Sequence, residues 1–227
     1  MSTGTREAPP ESFLAQLTPD ELEAFNEVAI RRRFPAGCTL FHEGDESGSV
    51  YVLTQGRAKI SCRGEGGKRA VLGFPGPGDM LGEVSVFDGH PRSASLAAVD
   101  EIEALVVPSR AFRRFVDLHP RVALVIIEML VTRLRAADRL RVEFAMHDVT
   151  GRVARRLLEL AVEFGEPDGS GVRIGLKLSQ DELASWAGSS REAVSKSLHV
   201  LRDLGWIRTE RQRLTVLDMD ALREFAR

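Results

Sequence analysis

The 227-residue chain is 43% hydrophobic and 28% charged, the balance of an ordinary soluble globular protein with room for two modest domains. Its longest apolar run, residues 122–131, is broken by Glu128 and too short to cross a bilayer, and two cysteines, Cys38 and Cys62, speak for a reducing compartment rather than a disulfide scaffold. The net charge of −2 divides into +1 from Thr150 onward and −3 before it, so bulk electrostatics permits a nucleic-acid partner without announcing one.

Residues 1–11 lack the apolar stretch of a secretory signal and read as a flexible tail, which makes the expected location cytoplasmic, with no membrane partner. Thr18-Pro19-Asp20-Glu21, followed by Leu22 and Phe25, predicts a capped short helix. From Phe34 to Val107 short apolar runs at residues 49–54, 57–62, 69–74 and 93–99 alternate with glycine-rich corners, including residues 64–67 and 76–79. That spacing predicts an antiparallel roll, sandwich or barrel. Ser109 reads as the cap of a second helix, with Phe112, Phe115 and Val116 on one face.

A long helix follows from about Pro120 to about Met146. It carries a heptad stripe of Ala123, Ile127, Leu130, Leu134, Ala137, Arg141 and Phe144, a seam that wants a neighbour. The neighbour is either the chain's own roll or a second copy. A second apolar set, Val122, Val125, Ile126 and Met129, is available for the roll, which favours a homodimer through Ala123, Ile127, Leu130, Leu134, Ala137 and Phe144.

Past Asp148 the pattern becomes helical. Residues 149–164 are amphipathic, and residues 166–171 read as a loop. Ser179-Gln180-Asp181-Glu182 is a capping box that opens a helix through Leu183 and Trp186, which Gly188 ends; Ser189-Ser190-Arg191-Glu192 reads as another, opening a helix through Val194, Leu198 and Leu201. Two helices joined by a tight glycine turn predict a helix-turn-helix, and residues 207–208 and 214–217, around a polar tip at 210–213, predict a β-hairpin wing. Arg191, Glu192, Ser195, Lys196 and His199 fall at helical spacing on the second helix, where a recognition helix presents side chains to base edges; the capping serines Ser179 and Ser190 complete the DNA-facing set. A merely solvated charged face would have a similar composition.

Three runs carry a family resemblance. Residues 148–154 (DVTGRVA) and 188–196 (GSSREAVSK) resemble the Crp/Fnr family of bacterial regulators, and residues 82–94 (GEVSVFDGHPRSA) resemble that family's cyclic-nucleotide cassette. The motifs occur in the family's order and cover the chain from about Phe13 to Val216. The resemblance implies an α+β architecture: a β-roll nucleotide domain over 12–116, a dimerisation helix over 117–147 and a winged helix-turn-helix over 148–227. It also implies that Arg191, Glu192 and Lys196 read a palindromic site with TGTGA-like half-sites, that RNA polymerase is a partner, and that a cyclic nucleotide, cyclic AMP by default, acts as effector with no other cofactor. Lys196 stands where the family pattern has arginine and lacks its planar fork, and Ser189 and Ser197 replace commonly apolar positions.

In the implied pocket, Gly82 lets backbone amides approach a phosphate, Arg92 supplies a charge-assisted bond to it, Ser93 adds a hydroxyl, and Glu83 accepts from a ribose hydroxyl. Arg133 matches the family and can brace Glu83. At the base-contacting end the family's hydroxyl residues are replaced by Ala137 and Asp138. An inward Asp138 would favour cyclic GMP, whose guanine offers two adjacent donors; pairing with Arg135 or Arg141 would remove it from that role.

Rival classes find little support. A metal-dependent β-roll enzyme would need clustered ligands, which the five histidines do not provide, and an iron–sulfur sensor would need four cysteines. His42 and His90 are lone loop residues as haem ligands. A ligand-independent architectural DNA binder is the remaining alternative, and no catalytic constellation or metal site is expected.

Overall fold

A computed structural model describes residues 12–64, 69–176, 178–210 and 213–226. The tail at 1–11, residues 65–67 of the glycine-rich turn and wing-tip residues 211–212 lie outside the described residues. The chain divides into two compact units between Arg135 and Ala136.

In the first unit, α1 (Pro19–Val28) begins as the sequence predicts, with Thr18 and Glu21 forming a reciprocal capping box and Pro19 at the first helical position. Two four-stranded antiparallel sheets follow. One orders β1 (Ile30–Phe34), β8 (Ile102–Pro108), β3 (Ser49–Gln55) and β6 (Met80–Leu81); the other orders β2 (Thr39–Phe41), β7 (Ser95–Ala98), β4 (Ala58–Arg63) and β5 (Arg69–Gly73). Six consecutive residues of β8, Ile102 to Val107, are buried because both faces of the strand are covered. Ile102 and Ala104 meet Phe41, Leu53, Leu96 and Ala98, while Leu105 and Val107 join a second core with Phe25, Phe112 and Phe115.

Short α2 (Glu83–Asp88) and α3 (Ser109–Leu118) accompany the sheets. Ser109 is the first residue of α3 rather than its cap: Pro108 holds the cap position, and the Ser109 hydroxyl donates to the Ser47 carbonyl at 3.0 Å. Helix α4 (Pro120–Met146) starts at proline, as expected. Val122, Val125 and Ile126 are buried in the second core, and Met129 packs against it. Ala123 and Leu130, expected on a free seam, also pack partly against that core. Over residues 120–135 of α4 the exposed large apolar side chains are Leu124 (60%), Ile127 (53%), Val131 (39%) and Leu134 (60%), of which Ile127 and Leu134 belong to the predicted seam.

The second unit contains α5 (Val149–Phe164), which starts at Asp148, whose side chain accepts from the Gly151 amide at 2.8 Å. The predicted loop after it is instead a hairpin of β9 (Gly165–Asp168) and β10 (Gly171–Ile174), whose β10 pairs with the wing strand β12 (Arg213–Val216), itself paired with β11 (Ile207–Glu210). Helices α6 (Gln180–Trp186) and α7 (Arg191–Asp203) form the helix-turn-helix, and α8 (Met219–Phe225), absent from the sequence reading, closes the chain. Gly188 turns between the two helices at φ +59°, where a Cβ would collide with the Phe144 ring. The Arg152 guanidinium lies over the same ring, 5.2 Å from its centroid, so Phe144 is engaged within its own unit.

Candidate functional site

The cassette folds around Arg92. β6 ends at Leu81, Gly82 turns through the left-handed region at φ +83°, and α2 begins at Glu83. A Cβ at Gly82 would overlap the Arg92 guanidinium, so glycine is what allows the arginine to lie against this backbone.

Arg92 is 4% exposed. Its Nη1 donates to the Gly82 carbonyl at 2.6 Å and to Ser85 Oγ at 2.8 Å, and its Nη2 donates to the Ser49 carbonyl. The guanidinium carbon lies 4.5 Å from the centroid of the Phe41 ring. Its Nε–H is buried without a partner, and among the described residues no carboxylate forms an ion pair with it. Burial lowers its pKa from the usual arginine value, partly offset by Tyr51, Glu83 and Asp45 nearby. A buried guanidinium satisfied only by neutral acceptors, with its Nε–H unpartnered, has the chemistry to receive an anion.

Glu83 is also buried, and burial raises its pKa above the usual glutamate value against the opposing field of Arg133. Arg133 of α4 donates from Nη1 to Glu83 Oε1 at 2.6 Å and from Nη2 to the Met80 carbonyl at 2.6 Å. Gly82, Glu83, Arg92 and Arg133 are thus brought together, with Ser93 exposed beside Arg92. Ser85, Phe41 and the Ser49 carbonyl complete the arginine's surroundings and were missed in the sequence; only Ser85 lay inside a recognised motif. Ala137 and Asp138 belong to the second unit, where both are exposed and Asp138 accepts from Arg141 at 3.2 Å.

In the DNA-facing unit, Ser179 caps α6 in a full capping box with Glu182. Ser190, not Ser189, caps α7, accepting from the Ala193 amide at 3.2 Å; an alanine at the third helical position leaves no reciprocal bond. Arg191 starts α7, exposed, with Nη1 3.7 Å from Asp181 Oδ2. Glu192 and Lys196 are exposed and Ser195 is half-buried, while Val194, Leu198 and Leu201 hold the buried stripe. Ser197, at a commonly apolar position, is buried because its hydroxyl meets that of Thr150 at 3.1 Å. The helix thus presents its polar residues at its N-terminal end, as groove reading requires.

Among the described residues, no helix is long and apolar enough to cross a membrane, and no group of three His, Cys, Asp or Glu side chains could hold a metal ion.

Comparison with known proteins gives both units relatives. A family profile described as a cyclic nucleotide-binding domain matches residues 31–119, and one described as a Crp-like helix-turn-helix domain matches residues 151–225. The chain is 36% identical over 194 residues to the CRP-like cAMP-activated global transcriptional regulator of Mycobacterium tuberculosis, spanning 86% of this chain and 87% of that protein. It is 31% identical over 210 residues to the cyclic AMP receptor protein of Thermus thermophilus, spanning 92% and 94%. Among solved structures it is similar to the c-di-GMP responsive global regulator CLP of Xanthomonas campestris, with a TM-score of 0.79 and 25% identity over 88% of this chain and 100% of that one.

Proposed function

Because the chain belongs to the Crp/Fnr family of DNA-binding transcription regulators and carries a cyclic nucleotide-binding domain, we propose that it is a homodimer whose affinity for its operator is set by cyclic AMP. Residues 12–116 form the nucleotide-binding domain, 117–147 the dimerisation helix and 148–227 the DNA-binding domain.

The observation that carries nucleotide control is Arg92, a buried cation with a spare donor and no carboxylate partner among the described residues. In the bound state Arg92 and Ser93 hold the cyclic phosphate beside Gly82, and Glu83, braced by Arg133, accepts from the ribose hydroxyl. Two relatives named for cyclic AMP support adenine as the base. The pairing of Asp138 with Arg141 supports adenine over guanine.

Dimerisation runs along the exposed stripe of α4, with Ile127 and Leu134 from the predicted seam and Leu124 and Val131 beside them. Two copies place two recognition helices on half-sites about 34 Å apart, with Arg191, Glu192 and Lys196 reading a palindromic TGTGA-like sequence. Nucleotide shifts the dimer population toward the DNA-competent form. The protein works in the cytoplasm with RNA polymerase as partner, and has no catalytic role.

Calorimetric titration with cyclic AMP tests the pocket. Saturable binding by the wild type, lost on Arg92→Leu without a change in fold, is expected; equal affinity in the two proteins overturns the pocket.

A further inference from the structure

We propose that Ser85 is a positioning residue that aims the Arg92 guanidinium at the cyclic phosphate; this rests on the nucleotide reading above. A guanidinium has five N–H donors in a fixed plane. Nη1 spends both of its donors, one on the Gly82 carbonyl and one on Ser85 Oγ, and Nη2 spends one on the Ser49 carbonyl. Two remain: the second donor of Nη2 and the Nε–H, which is buried without a partner. Neighbouring donors of this kind suit two oxygens of one anion, such as the exocyclic pair of a cyclic phosphate.

Ser85 is the only side chain among these three acceptors, so it is the one whose replacement changes how the arginine is held. It is itself buried, and its hydroxyl donates to the Gly82 carbonyl at 3.2 Å, which turns its lone pairs toward Arg92. Three hydrogen bonds close a ring of Ser85, Gly82 and Arg92, with Phe41 beneath the guanidinium. Without the Ser85 oxygen, one Nη1 donor has no acceptor in a buried site, and the guanidinium turns to satisfy it at the expense of the edge kept for the ligand.

The test uses cyclic AMP and the two diastereomers of its phosphorothioate, in which sulfur replaces one exocyclic oxygen or the other. Wild-type protein, with its donor edge fixed, is expected to discriminate between the diastereomers. Ser85→Ala is expected to bind cyclic AMP about tenfold more weakly, the loss of one hydrogen bond to a charged group. It should also bring the affinity ratio of the diastereomers toward one, whereas Ser85→Thr keeps the hydroxyl and the wild-type ratio. A merely structural role would weaken both diastereomers equally and leave the ratio unchanged. If Ser85→Ala melts early, Ser85→Cys, close in size but a poor acceptor, takes its place. Wild-type binding of cyclic AMP with an unchanged ratio in the variant overturns the role of Ser85 alone. Absence of binding by the wild type overturns the nucleotide reading and this role with it.

Discussion

Arg133 Nη1 donates to Glu83 Oε1 at 2.6 Å, tying the long helix to the first residue of α2, next to the Gly82 turn. The pair gives a buried carboxylate its partner, and its loss has a pH signature. Glu83 has its pKa raised by burial, against Arg133, so the stability it contributes is fully present below the ordinary glutamate value and lost as pH rises through the raised one. Arg133→Leu raises that pKa further. The variant is expected to be close to wild type in acid and to fall behind as pH rises to neutral. The deficit should be about 1–3 kcal/mol, toward the lower end because the Arg133 side chain is 37% exposed. Urea unfolding at several pH values measures it, and a gap that narrows with rising pH would contradict the assignment.

Arg121 and Glu21 behave in the opposite sense. The hydrogen bond from Arg121 is the main cause that holds the Glu21 pKa down to about 2. Its stabilisation is present above the ordinary glutamate value and lost as pH falls toward that lowered one. Arg121→Gln should therefore unfold at lower urea than wild type at neutral pH, with the two midpoints converging in strong acid. Midpoints separated by the same amount throughout would assign the effect to something other than this pair.

Much of the fold was legible because caps and periodicity are local. Thr18 with Glu21, Asp148, and Ser179 with Glu182 each mark a helix start where the structure has one. The β9–β10 hairpin was read as a loop because Gly165, Pro167, Gly169 and Gly171 are turn residues, and its support comes from a distant strand, β12. On the long helix, Ala123 and Leu130 of the expected seam also pack partly against their own core, since a heptad pattern in the sequence does not say which neighbour each position meets. The juxtaposition of Gly82, Glu83 and Arg92 was legible through a motif, and that of Arg133 with Glu83 through the family resemblance of the long helix. The carbonyls of Gly82 and Ser49 that hold Arg92 were not, since any residue supplies a carbonyl and only the fold decides where it points.

The partial burial of Leu130 bears on the test of assembly. Leu134 is exposed and Leu130 is partly buried in its own unit, so Leu134→Asp separates dimerisation from folding better than Leu130→Asp does. Leu134→Asp should yield folded monomers, since closing the dimer would bury an unpaired charge. Sedimentation that finds an intact dimer would move the interface off this stripe.

For DNA reading, Arg191→Ala should cost about 1–3 kcal/mol on the cognate half-site and relax base preference there. Random DNA should be affected less, because phosphate contacts carry most of that binding. Competition between the two duplexes at one salt concentration gives the ratio. Equal losses on both would assign Arg191 to the backbone.

Nucleotide control of DNA binding is tested most directly by the affinity of the wild-type protein for a palindromic TGTGA-containing duplex, measured at fixed salt with and without cyclic AMP, alongside Arg92→Leu. The account predicts that cyclic AMP tightens binding by the wild type and leaves Arg92→Leu at the weak, ligand-free level. Wild-type affinity that is the same with and without saturating cyclic AMP would contradict it.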